Sequence, residues 1–103
     1  MEVRQTNAFT DWLKNLKDNL AKYAIISRIE RLKKGNFGDS KGIGDSVFEM
    51  RIDVSKGYRV YFMNENDKIV LLLVGGNKST QEKDIKRAKE MAKEARNDRN
   101  NSI

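Results

Sequence analysis

The apolar residues of this chain change period once. From Ala8 to Leu32 they recur at helical spacing, and from Val47 to Val74 they alternate or run together. That order places a helical first third ahead of a strand-forming middle, in a chain of 103 residues that fits one domain. Phe9, Leu13, Leu16 and Leu20 fall at i, i+4, i+7 and i+11, with Trp12 beside the stripe. Lys17-Asp18-Asn19 interrupts it, and Asp18 is placed to cap a second helix carrying Ala21, Ile25, Ile29 and Leu32 on one face. Lys33-Lys34-Gly35 ends that helix with cations in the last turn and glycine just beyond it. The two segments read together as a helical hairpin. Met1 to Asn7 is short and mixed, and is expected as an edge strand at most.

Gly35 to Ser46 holds four of the seven glycines and little that could be buried, so it is expected as a loop. Phe48, Met50, Ile52 and Val54 then alternate with Val47, Glu49, Arg51 and Asp53, and after Ser55-Lys56-Gly57 the residues Tyr58, Val60 and Phe62 alternate with Arg59, Tyr61 and Met63. Asn64 to Asp67 forms another turn. Ile69 to Val74 is a run of apolar residues that suits an inner strand covered on both faces. Short polar turns between three strands predict an antiparallel meander. Beyond Gly75-Gly76-Asn77-Lys78, Ser79 and Glu82 have capping-box spacing and open a last helix. Its apolar stripe is thin (Ile85, Ala88, Ala92 and Ala95, with Met91 beside them), so it is expected to dock weakly and fray before Asn97. The fold class is therefore α+β: helices on a small antiparallel sheet, one domain over 1–96, and a tail over 97–103.

Lys and Arg total 21 against 15 for Asp and Glu, a net charge of +6 that suits an anionic partner such as nucleic acid or an acidic protein segment, or simply a solvated surface. The chain has no Cys and no His, which excludes disulfides, thiolate chemistry, the commonest metal ligand and the usual base near neutral pH. No apolar run approaches the about 20 residues of a membrane span, and Met1 to Thr10 is not a signal peptide, so a cytoplasmic protein is expected. Strand alternation puts Arg51, Arg59 and Tyr61 on one face, expected to be free of helices, with Phe48, Met50, Ile52, Val60 and Phe62 turned under the hairpin. Lys78 reaches the rim of that face. Two guanidiniums, an ammonium and a phenol make an anion site in which the tyrosine could stack on a base. Equally, each arginine could pair across strands with Glu49 or Asp53. The basic last helix reads as a solvated face, and the loop glycines match no phosphate-binding loop.

Several strings taken together resemble a known family: Phe9-x-x-Trp12-Leu13, the stretch RLKKGNFGDSKGIGDSVFEMRI at 31–52, GYRVYF at 57–62 and IVLLLVGGNKSTQEKDI at 69–85. They are similar to HigB-type addiction-module killer proteins of the RelE/ParE toxin superfamily, from about Phe9 to Met91. The resemblance implies a helical hairpin on a small antiparallel sheet with a C-terminal helix. It further implies a type II toxin held by a cognate antitoxin, HigA-like with a helix-turn-helix. The target would be mRNA on the ribosome, cleaved without a metal or other cofactor. Carried over by position, Arg59 matches the arginine on the scissile phosphate, Arg51 a basic position on the preceding strand, and Lys78 the basic residue after the last strand. Lys41 and Lys78 are then candidates for proton transfer, Lys41, Arg51, Arg59 and Lys78 for RNA binding, and Tyr61 for stacking or proton donation. Two departures bear on catalysis: Glu49 stands where some relatives carry Lys, and no aromatic residue follows Phe62. A ParE-like inhibitor of DNA gyrase and an inactive member that only binds antitoxin or RNA are the alternatives.

Overall fold

The computed structural model describes residues 1–101, with side chains through residue 98. Along the chain lie β1 (Glu2–Gln5), α1 (Asn7–Asn15), α2 (Asn19–Lys33), β2 (Ser40–Gly44), β3 (Val47–Ile52), β4 (Tyr58–Glu65), β5 (Ile69–Asn77), a 3-10 turn (Lys78–Thr80) and α3 (Gln81–Asn101). The strands form one sheet in the order β1-β5-β4-β3-β2, in which β1 runs parallel to β5 and every other pair is antiparallel. The predicted meander is thus β3-β4-β5, with a strand added at each edge.

Local chemistry fixes the element ends. The Thr6 hydroxyl accepts from the Phe9 amide at 3.0 Å to start α1, and it donates to the Leu73 carbonyl at 2.6 Å, tying the helix start to β5. Asp18 caps α2 as expected, accepting from the Ala21 amide at 3.0 Å. Gly35, at φ +84°, donates to the Leu32 carbonyl while Asn36 donates to that of Arg31, a Schellman ending of the kind the Lys33-Lys34-Gly35 sequence suggests. The last helix starts differently from its expected Ser79–Glu82 box. Asn77 caps the 3-10 turn, with its side chain accepting from the Ser79 amide and the Thr80 hydroxyl reaching back to the Asn77 amide.

Three further expectations are corrected. Ser40–Gly44 is a strand rather than part of a loop: its backbone pairs with β3, and an edge strand held by backbone bonds needs no apolar alternation to form. The opening helical hairpin is not found as such. A strand leads the chain, and the two helices meet the sheet separately, α1 against β5 and α2 against β1 and β3. Leu16 and Asp18 both have extended backbone, which redirects the chain between the helices, and Leu20 falls on the exposed side of α2. Finally, α3 docks firmly and is helical through Asn101, into the segment read as a tail. Residues 102–103 lie outside the described residues.

The sheet is covered on both faces. On one, Phe9, Ala21, Ile25, Ile29 and Leu32 pack over Met50, Ile52, Tyr58, Val60, Phe62, Val70 and Leu72. On the other, Ala88 and Ala92 of α3 lie on Val47, Tyr61, Met63, Leu73 and Val74. A register shift at Tyr61/Phe62 leaves Leu73 without a Cα partner in the ladder, and the consecutive Leu73 and Val74 both join the α3 side. Gly75 and Gly76 explain how close both layers come. A Cβ on Gly75 would strike the Trp12 ring, and one on Gly76 would strike the Asp84 carboxylate.

Candidate functional site

Strand register brings the predicted residues together. Arg51 lies opposite Arg59, Glu49 opposite Tyr61, Lys41 opposite Glu49, and Gly76 opposite Arg59. The expectation that fails is the open face. Small alanines and the missing Cβ of Gly76 let α3 settle directly on it, leaving Tyr61 0%, Glu49 1% and Arg59 5% exposed. Tyr61 therefore cannot stack on a base. Its hydroxyl has no hydrogen bond, and burial first, then the Glu49 and Asp84 carboxylates, push its pKa far above the ordinary tyrosine value, so it stays neutral and donates poorly to a reaction at neutral pH.

Glu49 is the centre of the buried end of this face. Its Oε2 accepts from Gln81 Nε2 at 2.9 Å. Its Oε1 lies 3.8 Å from Arg59 Nε and 3.9 Å from Lys41 Nζ and makes no hydrogen bond. Arg59 Nη1 donates to the Tyr58 carbonyl at 3.3 Å, and its Nε is likewise without a hydrogen-bond partner. Arg59 thus pairs with Glu49, as the cross-strand alternative foresaw. Arg51 pairs with neither expected carboxylate: its exposed side chain has Nε 3.4 Å from Asp39 Oδ2, and its carbonyl accepts from Arg28 Nη1 at 2.8 Å. Lys41 reaches out to solvent from β2. Lys78 is exposed at the first position of the capped turn, and its stem and Arg59 both border Gly57, where an added Cβ would meet Arg59 Nη1 and Lys78 Cγ and Cδ, each at 3.9 Å.

One end of the sheet therefore carries Lys41, Arg51, Arg59 and Lys78, of which Arg59 and Lys41 face the buried Glu49 carboxylate. Such a cluster suits a phosphate diester, with Arg forks for the oxygens and ammoniums on the rim. Among the described residues, no three acidic side chains come together as a metal site, and no helix is long and apolar enough to cross a membrane. Gln81, Asp84 and Asp39 also border the site, and no motif or alternation in the sequence points to them. Gln81 lies inside the GGNKSTQ string, but only the path of the chain through the capped turn brings it over Glu49. The lone carboxylate at 49, between Val47 and Arg51 on one strand face, was the available signal.

Comparison with known proteins agrees with this architecture. A protein of Haemophilus influenzae recorded only as uncharacterized is 52% identical over 94 residues, covering 91% of this chain and 95% of its own. Among solved structures, a chain of the intact E. coli RelBE toxin–antitoxin complex superposes with a TM-score of 0.57 over 74% of this chain and 94% of that one. At 15% identity, the likeness is one of fold. The narrower HigB-type assignment is not carried by either match. Residues 11–97 match the family described as phage-derived protein Gp49-like (DUF891), and the chain belongs to that family.

Proposed function

We propose that this protein is the toxin of a toxin–antitoxin pair and that it cleaves mRNA on the ribosome without a metal. The observation that carries the reading is the convergence of Lys41, Arg51, Arg59 and Lys78 at one end of the sheet. The RelBE fold likeness is consistent with it, as is the resemblance of the GYRVYF and GGNKSTQ strings to HigB-type toxins. In the reaction, a ribose 2′-oxygen attacks the adjacent phosphorus. The O2′–P bond forms, the P–O5′ bond breaks, and the products are a 2′,3′-cyclic phosphate and a 5′-hydroxyl. Arg51 and Arg59 stabilise the charge on the phosphoryl oxygens; of Lys41 and Lys78 on the rim, one, as the neutral amine, takes the 2′-hydroxyl proton and the other, as the ammonium, gives a proton to the departing O5′. Tyr61 has no part in this scheme.

The antitoxin is the second element of the proposal. Leu20, Tyr23 and Ile26 on α2 are 68%, 80% and 45% exposed, with Lys22, Arg31, Lys33 and Lys34 on the same helix or at its end. An acidic amphipathic segment suits that stripe, and a HigA-like protein with a helix-turn-helix is the form we expect. Translation sets the site of action in the cytoplasm. The burial of Arg59 favours one competing reading, a non-catalytic inhibitor that docks on a protein such as DNA gyrase. Inducing wild type and Arg51→Ala in growing bacteria and mapping transcript 5′ ends separates the two. New ends within coding sequence with wild type, reduced about a hundredfold in the variant, support cleavage. Arrest without new ends supports the protein target.

A further inference from the structure

Three features meet at the buried end of the sheet. Glu49 Oε1 and Arg59 Nε are buried, face each other at 3.8 Å and have no hydrogen bond, although each is within a small side-chain movement of making one. The other carboxylate oxygen is already fixed by Gln81 at 2.9 Å. And Gln81 follows directly on the capped turn that begins with Lys78.

We propose that Gln81 and Glu49 are positioning residues that aim the Arg59 guanidinium at an anion lying between Arg59 and Lys78 above Gly57. Gln81 holds Glu49, Glu49 draws Nε inward, and the Nη edge turns toward Lys78. The proposal rests on the RNA-directed reading for its biological meaning, but its geometry stands apart from it. A purely structural purpose explains the arrangement poorly. Two incompletely satisfied buried ions cost more than an apolar pair of the same volume, and the neighbouring positions Val47 and Met63 on this same face are apolar. Glu49 as the base that takes the 2′-hydroxyl proton is a weaker account, because Oε1 is screened from solvent and faces the Arg59 and Lys41 cations. The capped turn gives the arrangement its stiffness: Asn77 and Thr80 lock it, and the Thr80 hydroxyl donates to Asp84 Oδ2 at 2.6 Å. One short rigid segment thus sets both Lys78, directly, and Arg59, through Gln81 and Glu49.

The test follows the arginine Nε–H signals by 15N NMR while inorganic phosphate is titrated, in wild type, Gln81→Leu, Glu49→Gln and Arg59→Lys, each checked for a native backbone spectrum. Gln81 is only partly buried, so its variant provides a folded reading even where Glu49→Gln does not. The proposal expects phosphate to move the Arg59 signal in wild type, and Gln81→Leu to broaden that signal and weaken phosphate binding about tenfold. In the Arg59→Lys background, adding Gln81→Leu should change phosphate binding by less than about twofold, because the residue it positions is gone. An equal loss in both backgrounds overturns the proposal, as does an Arg59 signal that ignores phosphate or ignores Gln81→Leu. Failure of the broader reading looks different: phosphate binding that depends on Gln81 in a protein that cleaves no mRNA leaves the positioning intact and removes the nuclease.

Discussion

Arg59 and Tyr61 lie two positions apart on β4, and alternation predicts both on one polar face. The structure separates their fates. Tyr61 belongs to the cluster under α3, and its hydroxyl has no hydrogen bond to lose. Tyr61→Phe should therefore unfold within about 1 kcal/mol of wild type at pH 7. Because the folded-state pKa of Tyr61 is raised, the protonated hydroxyl contributes stability that is present below the unfolded tyrosine value of about 10 and is lost as pH rises above it. Urea unfolding at pH 7 and pH 11 should show a shallower alkaline loss in Tyr61→Phe, and equal losses would contradict the assignment. Arg59 behaves oppositely. Removing it strands Glu49, so Arg59→Ala should cost on the order of 3 kcal/mol in the same assay. Lost toxicity in that variant would then report folding as much as chemistry, which is why the exposed Arg51 is the better probe.

At the scale of elements, the caps and the meander were legible because each rests on near neighbours in sequence. Asp18 needs only Ala21, and Gly35 needs only the last turn of α2. The β2 strand was illegible for the opposite reason, since its partners are backbone groups of β3 and its side chains carry no alternation. The docking of α3 is firmer than its alanine stripe predicts. A thin stripe suggests weak burial, yet Ala88 and Ala92 are fully buried because small side chains let a helix approach a sheet closely. The glycine pair completes that approach, and it yields a test. Gly76→Ala drives a Cβ into Asp84 and should destabilise by about 1–3 kcal/mol. Adding Asp84→Ala should recover part of that loss, measurable by thermal unfolding. Strict additivity of the two substitutions would mean that α3 does not sit where described. The same closeness hides Glu49 and Arg59, so a correctly placed pair of side chains was assigned the wrong exposure.

For the whole molecule, charge and shape divide the labour between two surfaces. The cationic sheet end is the surface proposed to meet phosphate, while the α2 stripe of Leu20, Tyr23 and Ile26 lies on the element that covers the opposite face of the sheet from α3. The two should be separable by mutation. Tyr23→Glu should abolish capture of a co-expressed antitoxin by the tagged protein while leaving growth arrest intact, and loss of arrest with capture retained would reverse the assignment of the surfaces. The sequence made the net charge and the toxin-like strings visible, but which cations stand free and which are spent on Glu49 or Asp39 depended on packing that no spacing reveals. The claim on which the rest depends is that the sheet end cuts RNA. Purified protein, programmed ribosomes and 5′-labelled mRNA in the presence of EDTA test it directly. The account predicts new fragments ending in a 2′,3′-cyclic phosphate with wild type and about a hundredfold fewer with Arg51→Ala, whereas intact mRNA on ribosomes saturated with folded wild-type protein would contradict it.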